Sequence, residues 1–354
     1  ATIQQYKEST MRYRLLGHSG LRVSELCLGT MTFGEDWGWG APAEESRKVY
    51  DAFLESGGNF IDTANVYTNG TSERLLSEFM QGHRERIVLA TKYTNAVAGN
   101  DPNAAGNHRK SMVQALEASL KRLKTDYIDL YWLHIWDEIT PIEEVMRAFD
   151  DLVRQGKILY AGVSDMPAWC VAKANTLAKL RGWTPFVGLQ IEYSLIERTP
   201  ERELLPMAAD LGLGITAWSP LAGGVLTGKQ LEVGGTNDSR QSNPMMQQFM
   251  TSNARKESIT REVVAVARES GHSPAQVALA WLRQRAMSII PIIGARKLEQ
   301  FKDNLGSVGI RLGTAHIERL NMVSRIEMGF PHDFFATDLV RALSSGGMRD
   351  QIDA

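Results

Sequence analysis

Eight short apolar runs recur along the chain, each followed by a longer segment whose apolar residues repeat at helical period. "ELCLGT" precedes a helical pattern over 44–55, "NFIDT" one over 72–80, and "RIVLATK" one over 109–123. "YIDLYWLH" leads to 141–155, with Pro141 suited to a helix start, and "ILYAGVSD" leads to 167–180. "FVGLQIEY" is followed by 202–211, "GITAWSP" eventually by 261–270, and "SIIPIIGA" by 297–305. Strands joined through helical crossovers run parallel. Eight such units over roughly 300 residues, with no break in composition, predict one closed (β/α)₈ TIM barrel. The rival is an open doubly wound sheet, which carries Gly-x-Gly-x-x-Gly in its first strand-to-helix turn. The corresponding turn here reads "GTMTFGEDWGWG" and does not match.

Outside the repeats, "YRLL" and "LRVSELCL" flank "GHSG" and predict an N-terminal β-hairpin. The connection from Trp218 to Arg261, about forty residues rich in Gly, Ser, Asn, Gln and Met, is long enough to predict a lid or a disordered loop. The tail beyond Met328 predicts extra helices and loops. Residues 1–10 are polar and precede Met11, so they read as a leader, leaving 11–354 as one domain. A formal net charge of −2 gives no field that favours nucleic acid or an anionic membrane. No apolar stretch nears the roughly 20 residues that span a bilayer. Cys27 and Cys170 lack zinc or redox spacing, which indicates a reducing, cytoplasmic setting. The seven histidines show no metal-ligand spacing.

Reactive groups in such a barrel sit at the C-terminal ends of strands. Three successive predicted strands end in an ionisable residue: Asp62, Lys92 and His134. Tyr67 follows five residues after Asp62. Singly, each has a plain reading as a turn former, a solvated strand end or a half-buried ring. Together they suit proton donation to a carbonyl oxygen. The lysine stabilises the phenolate and lowers the tyrosine pKa, the aspartate holds the lysine, and the histidine bonds the same substrate oxygen.

With these residues in place, the chain resembles the aldo-keto reductase superfamily, in its bacterial branch related to the potassium-channel β-subunit group. "FIDTANVY", "LATKY" and "DLYWLHIWD" match the segments that carry the family's catalytic tetrad, here Asp62, Tyr67, Lys92 and His134. The resemblance implies an NADP cofactor, with NADPH preferred over NADH. "GTM" places Gly29, Thr30 and Met31 on its path, beside Asp62. "GVSD" and "GLQIEY" imply that Ser164, Asp165 and Gln190 face the nicotinamide carboxamide, although Asp165 stands where Asn is common and cannot donate as an amide does. "AWSPLAGG" implies that Trp218 stacks on the nicotinamide, with Ser219, Pro220, Leu221 and Gly223 alongside. "IIGARKLEQFKDN" implies Gly294 and Arg296 near the ribose 2′-phosphate, and Gln300 and Asn304 further along the helix.

Trp37, Trp39 and Trp136, with Tyr67 and His134, indicate an apolar pocket for an aromatic, aliphatic or polycyclic carbonyl compound. The expected partner is therefore a small-molecule carbonyl substrate, and a homo-oligomer is left open. Two rivals remain. One is a nucleotide-sensing subunit on the same fold, whose tetrad commonly lacks the histidine present here. The other is a Schiff-base aldolase using Lys92 as nucleophile.

Overall fold

The structure is a computed structural model that describes residues 11–97, 99–231 and 253–353. The expected hairpin forms first, β1 (Tyr13–Leu15) pairing antiparallel with β2 (Arg22–Ser24). All eight apolar runs then become strands of one closed barrel. They are β3 (Cys27–Gly29), β4 (Phe60–Asp62), β5 (Val88–Tyr93), β6 (Ile128–Leu133), β7 (Ile158–Ser164), β8 (Phe186–Glu192), β9 (Gly214–Trp218) and β10 (Ile289–Ile293). The last strand pairs in parallel with β3 and closes the ring.

Side chains alternate between the two faces of a strand, so each contributes to two cores. Cys27, Phe60, Val88, Ala90, Leu130, Trp132 and Ile290 fill the barrel interior, and Leu16 and Val23 of the hairpin region pack with them. Trp132 fits because its neighbours are bare. A Cβ at Gly162 would lie 2.3 Å from its ring, and one at Gly188 2.9 Å. The opposite phase, including Ile61, Leu89, Tyr131, Leu133 and Val163, packs in the larger outer core. Following the inward phase to the C-terminal strand ends reaches Asp62, Lys92, His134, Ser164, Gln190 and Trp218. The strand period therefore aims those side chains at one rim.

The outer helices are α1 (Ala43–Glu55), α2 (Thr71–Phe79), α3 (Arg109–Leu123), α4 (Ile142–Arg154), α5 (Ala168–Arg181), α6 (Leu204–Leu211), α7 (Ala254–Ser270), α8 (Pro274–Arg283), α9 (Leu298–Leu305) and α10 (Thr314–Val323). Pro141 and Pro167 stand at the N-cap positions, one residue before the helices they introduce. Three helices depart from the expectation. One is α7, which starts at Ala254, well before 261. Another is α10, which the eight repeats did not include, and the third is α8, which the apolar pattern alone did not reveal. Its start is a capping box, in which the Ser273 hydroxyl accepts from the Gln276 amide and the Gln276 side chain accepts from the Ser273 amide. After β9 the chain makes 3₁₀ turns at Ala222–Thr227 and Lys229–Leu231. The rest of the long polar connection, 232–252, lies outside the described residues, as do residues 1–10, the expected leader. The tail adds two short helices, α11 (His332–Phe335) and α12 (Asp338–Ser345). Among the described residues no helix is long and apolar enough to cross a membrane.

Candidate active site

Asp62 and Lys92 meet at the rim as a buried ion pair, with the lysine side chain fully inaccessible and the aspartate nearly so. Lys92 Nζ donates to Asp62 Oδ2, to the Thr63 carbonyl oxygen at 2.8 Å and to the Tyr67 hydroxyl at 3.1 Å. All three ammonium protons thus have acceptors, which is the condition for keeping a charge in so dry a place. Burial opposes the Lys92 charge, but Asp62 and then Tyr67 outweigh it and hold the ammonium above its ordinary pKa. The other oxygen of Asp62, Oδ1, accepts from Gln190 Nε2 at 3.0 Å.

Tyr67 begins a 3₁₀ turn and is half-buried, with Trp37 edge-on at 6.4 Å and His134 edge-on at 6.0 Å between ring centroids. Its pKa differs from the sequence expectation. Lys92 does pull it down, but burial is the larger effect and leaves the hydroxyl above the ordinary tyrosine range. The phenol is therefore held protonated. Burial and then the Lys92 charge push His134 well below its usual value, so the ring is neutral. Asn95 Nδ2 lies 3.1 Å from its Nδ1. The amide donates there, which puts the ring proton on Nε2. Asp62, Tyr67, Lys92 and His134 are thus one constellation that combines a protonated phenol, a charged ammonium and a neutral imidazole.

The neighbouring strand ends carry the next group. Asp165, just past β7, accepts from Trp218 Nε1 at 3.1 Å through Oδ1 and from the Ser164 hydroxyl at 3.1 Å through Oδ2. Trp218 itself is half-buried at the end of β9. Beyond it, Ser219 Oγ accepts from the Gly223 amide at 3.1 Å, Pro220 is buried, and Leu221 packs on the core. One inward position below Trp218, Thr216 Oγ1 is buried with no hydrogen-bond partner. Past β10, at the end of β3, Thr30 uses its amide and hydroxyl on the Asp62 carbonyl oxygen, at 3.0 and 3.1 Å. Met31 follows on the surface side, half-buried. Gly29 and Gly294 sit where β3 and β10 close the barrel. A Cβ at Gly294 would lie 2.9 Å from the Gly29 carbonyl oxygen.

Arg296 and Lys297 line an open cleft of about 570 Å³ with Gly40, Pro42 and Glu45. The helix entrance beside them is partly taken. The first amide of α9, Leu298 N–H, donates to Glu45 Oε1 at 2.6 Å. Further along that helix Gln300 is half-buried and Asn304 buried. The aromatic residues divide. Trp37 stands over Tyr67 and packs on the buried Trp39 at 5.7 Å. Trp136 instead packs edge-on against Trp169 at 5.9 Å and donates its backbone amide to the Asp165 carbonyl oxygen at 3.3 Å.

Sequence reasoning missed three contributors. Asn95 orients His134, Trp169 extends the aromatic rim, and Asn107 binds the turn that follows His134. Asn107 Nδ2 donates to Thr94 Oγ1 and to the Ile135 carbonyl oxygen, while its Oδ1 accepts from the Asp137 amide. Asn95, three residues after Lys92, was the most accessible of these signals. The roles of the other two depend on contacts between distant loops.

A barrel that carries an Asp–Tyr–Lys–His set at its C-terminal rim is the architecture of a reductase family. The family model described as Aldo/keto reductase family matches residues 25–325, and the chain belongs to that family. It is similar to a norsolorinic acid reductase of Aspergillus flavus, 39% identical over 334 residues that cover 91% of this chain and 83% of that protein. It is also similar to an aryl-alcohol dehydrogenase [NADP(+)] of Phanerodontia chrysosporium, 38% identical over 332 residues covering 89% of this chain and 86% of that protein. An uncharacterised oxidoreductase of Bacillus subtilis is 39% identical over 324 residues, covering 88% and 95% respectively. These relatives are fungal as well as bacterial, so they do not single out a bacterial branch.

Proposed function

We propose that this chain is an NADPH-dependent carbonyl reductase that interconverts aromatic aldehydes or ketones and their alcohols. One observation carries the reading: Lys92 Nζ bridges the Asp62 carboxylate and the Tyr67 hydroxyl in a dry rim. The donor set fits a nicotinamide dinucleotide. The half-buried face of Trp218 and the unpaired Thr216 hydroxyl lie at the tetrad end, and Arg296 and Lys297 lie at the other, in a cleft suited to phosphate. Bound there, the cofactor supplies the hydride.

The chain's own residues manage the proton. Tyr67 gives its hydroxyl proton to the substrate carbonyl oxygen, and Lys92 stabilises the phenolate left behind. Asp62 keeps Lys92 charged and in place, with Gln190 holding the carboxylate. His134 Nε2–H donates to the same carbonyl oxygen and helps orient it. In the oxidative direction the Tyr67 phenolate takes the proton back. Trp37 forms one wall beside Tyr67, with Trp39 behind it, and Trp136 forms the wall on the Asp165 side. The relatives' names, norsolorinic acid reductase and aryl-alcohol dehydrogenase, support an aromatic substrate. An NADP name on one relative and the Arg296 guanidinium support NADPH over NADH. We take 11–354 as the catalytic unit, acting in the cytoplasm.

A Schiff-base aldolase fits less well, because it needs a neutral amine and the Lys92 charge is reinforced by Asp62. The sensor reading is disfavoured by His134, which is present and held neutral with a defined donor. The test is a fluorescence titration with NADPH and NADH, followed by turnover on a panel of aromatic and aliphatic aldehydes. Saturable NADPH binding with aldehyde-dependent oxidation supports the proposal. Binding without turnover on any carbonyl would favour the sensor.

A further inference from the structure

A carboxylate at 165, where the resemblance expects an amide, has a physical consequence of its own. Asp165 sits at a φ of 46°, a left-handed backbone conformation that Asp and Asn tolerate better than most residues. Both of its oxygens are engaged, Oδ1 by the Trp218 indole and Oδ2 by the Ser164 hydroxyl. Those bonds fix the indole plane, and the group brings a negative charge that an amide lacks.

The surroundings do not cancel that charge. From β4 and β5 come Asp62 and Lys92, which are already paired with each other. The 3₁₀ turn contributes Tyr67, held neutral, and the end of β6 contributes His134, also neutral. From β8 comes Glu192, whose register partner is Trp218. Burial, then the charges of Glu197 and Asp165, push Glu192 up to about 7, with Lys256 pulling the other way. Asp165 is pushed up to about 6, by burial first, against the hydrogen bonds of Trp218 and Ser164 and the charge of Lys92. Two carboxyls thus flank Trp218, each paying to be ionised and each relieved by a nearby cation.

We propose that Asp165 is a charge-selective positioning residue. Through Trp218 it shapes the nicotinamide site, and its negative charge makes that site prefer the oxidised, cationic cofactor to the reduced, neutral one. The inference rests on the cofactor reading above. By stabilising the nicotinamide cation it makes bound NADPH a stronger hydride donor, which favours reduction of the carbonyl on the enzyme, and the effect is present at alkaline pH and lost in acid.

The experiment compares the full-length wild type with Asp165→Asn, which keeps an acceptor for Trp218 and removes the charge. Dissociation constants for NADP⁺ and NADPH are measured from tryptophan fluorescence at pH 5 and pH 8, without substrate. The quantity read is the ratio of the two constants, in which the phosphates common to both cofactors cancel. Glu192, which both proteins retain, sits at about 7 and is mostly ionised at pH 8 in each, so it largely cancels there. Opposite unit charges even about 12 Å apart, at an effective dielectric constant of about 20, correspond to roughly tenfold in affinity. Asp165→Asn should therefore reduce the preference for NADP⁺ about tenfold at pH 8 and leave it nearly unchanged at pH 5. Equal ratios in the two proteins at pH 8, or a difference just as large at pH 5, would overturn the proposal. A second measurement needs no variant. In weakly buffered solution near pH 6, both cofactors release protons as their 2′-phosphate binds, but NADP⁺ binding should release more than NADPH binding, and equal release by both contradicts the charge selection. A wild type that binds neither cofactor would overturn the cofactor reading and this inference together. Binding of both with an unaltered ratio overturns the inference alone.

Discussion

Neither Asp62 nor Lys92 could occupy its position alone, because each is almost fully removed from water. Removing one partner of such a pair leaves a buried, uncompensated charge, typically at a cost of about 3–5 kcal/mol. Lys92→Met should therefore lower thermal stability as well as activity, and a melting curve beside a turnover assay separates the two. An unchanged melting temperature would mean the pair contributes nothing to the fold. Asp165 behaves in the opposite sense. Its carboxyl is raised from the ordinary value of 3.8 to about 6, so the folded state holds the proton more tightly than the unfolded chain does. The resulting destabilisation is absent below pH 4, develops as pH rises toward 6, and is complete above it. Asp165→Asn should accordingly stabilise the protein at pH 8, by up to about 3 kcal/mol, and scarcely at pH 4. Equal melting shifts at the two pH values would contradict this. The tetrad was legible in the sequence because each member ends or closely follows a strand in the inward phase. Asn95, close after Lys92, offered a signal that went unread, whereas the roles of Trp169 and Asn107 arise from contacts between distant loops that no spacing encodes.

At the level of elements, the alternation of apolar runs and helical segments carried all eight barrel strands, because a strand buried on both faces leaves a short continuous apolar run and a surface helix leaves a period of 3.6. α8 was not read as a helix of its own; almost its whole surface is buried, so its sequence is apolar nearly throughout. Its capping box was the surviving signal. The barrel interior makes its own demand. Adding a methyl at Gly162 would place it 2.3 Å from the Trp132 ring. Gly162→Ala should therefore cost about 1–3 kcal/mol through overpacking, measurable by urea denaturation, and Trp132→Phe in the same chain should recover part of it. At α9, the Glu45 carboxylate bonded to the Leu298 amide was not legible, since residues far apart in sequence make that contact. It also changes the expectation for cofactor choice, because a carboxylate stands beside the helix entrance read as the 2′-phosphate site. Arg296→Ala should weaken NADPH binding by roughly 10- to 150-fold and barely change NADH. Glu45→Gln should tighten NADPH severalfold by removing a like charge. Titration of both variants with both cofactors checks the pair, and an equal effect on NADPH and NADH would mean that neither residue reads the phosphate.

For the molecule as a whole, the fold and the chemistry meet because closing the barrel brings eight strand ends to one rim. The hairpin region supplies Leu16 and Val23 to the interior, Trp132 fills its middle, and the polar ends of the inward rows gather above. The fold and the family were readable from sequence because both depend on residues repeated at fixed phase. Substrate choice was not, because it depends on loop walls such as the Trp37–Tyr67 and Trp136–Trp169 contacts. The central claim, that Tyr67 is the proton donor in carbonyl reduction, is tested most directly by single turnover of wild type and Tyr67→Phe preloaded with NADPH and mixed with an aromatic aldehyde. General acid catalysis contributes about 10²–10⁴-fold, so the variant should oxidise NADPH slower by that factor or more while binding it with nearly the wild-type affinity. A variant that binds NADPH normally and retains more than half of the wild-type rate would contradict the account.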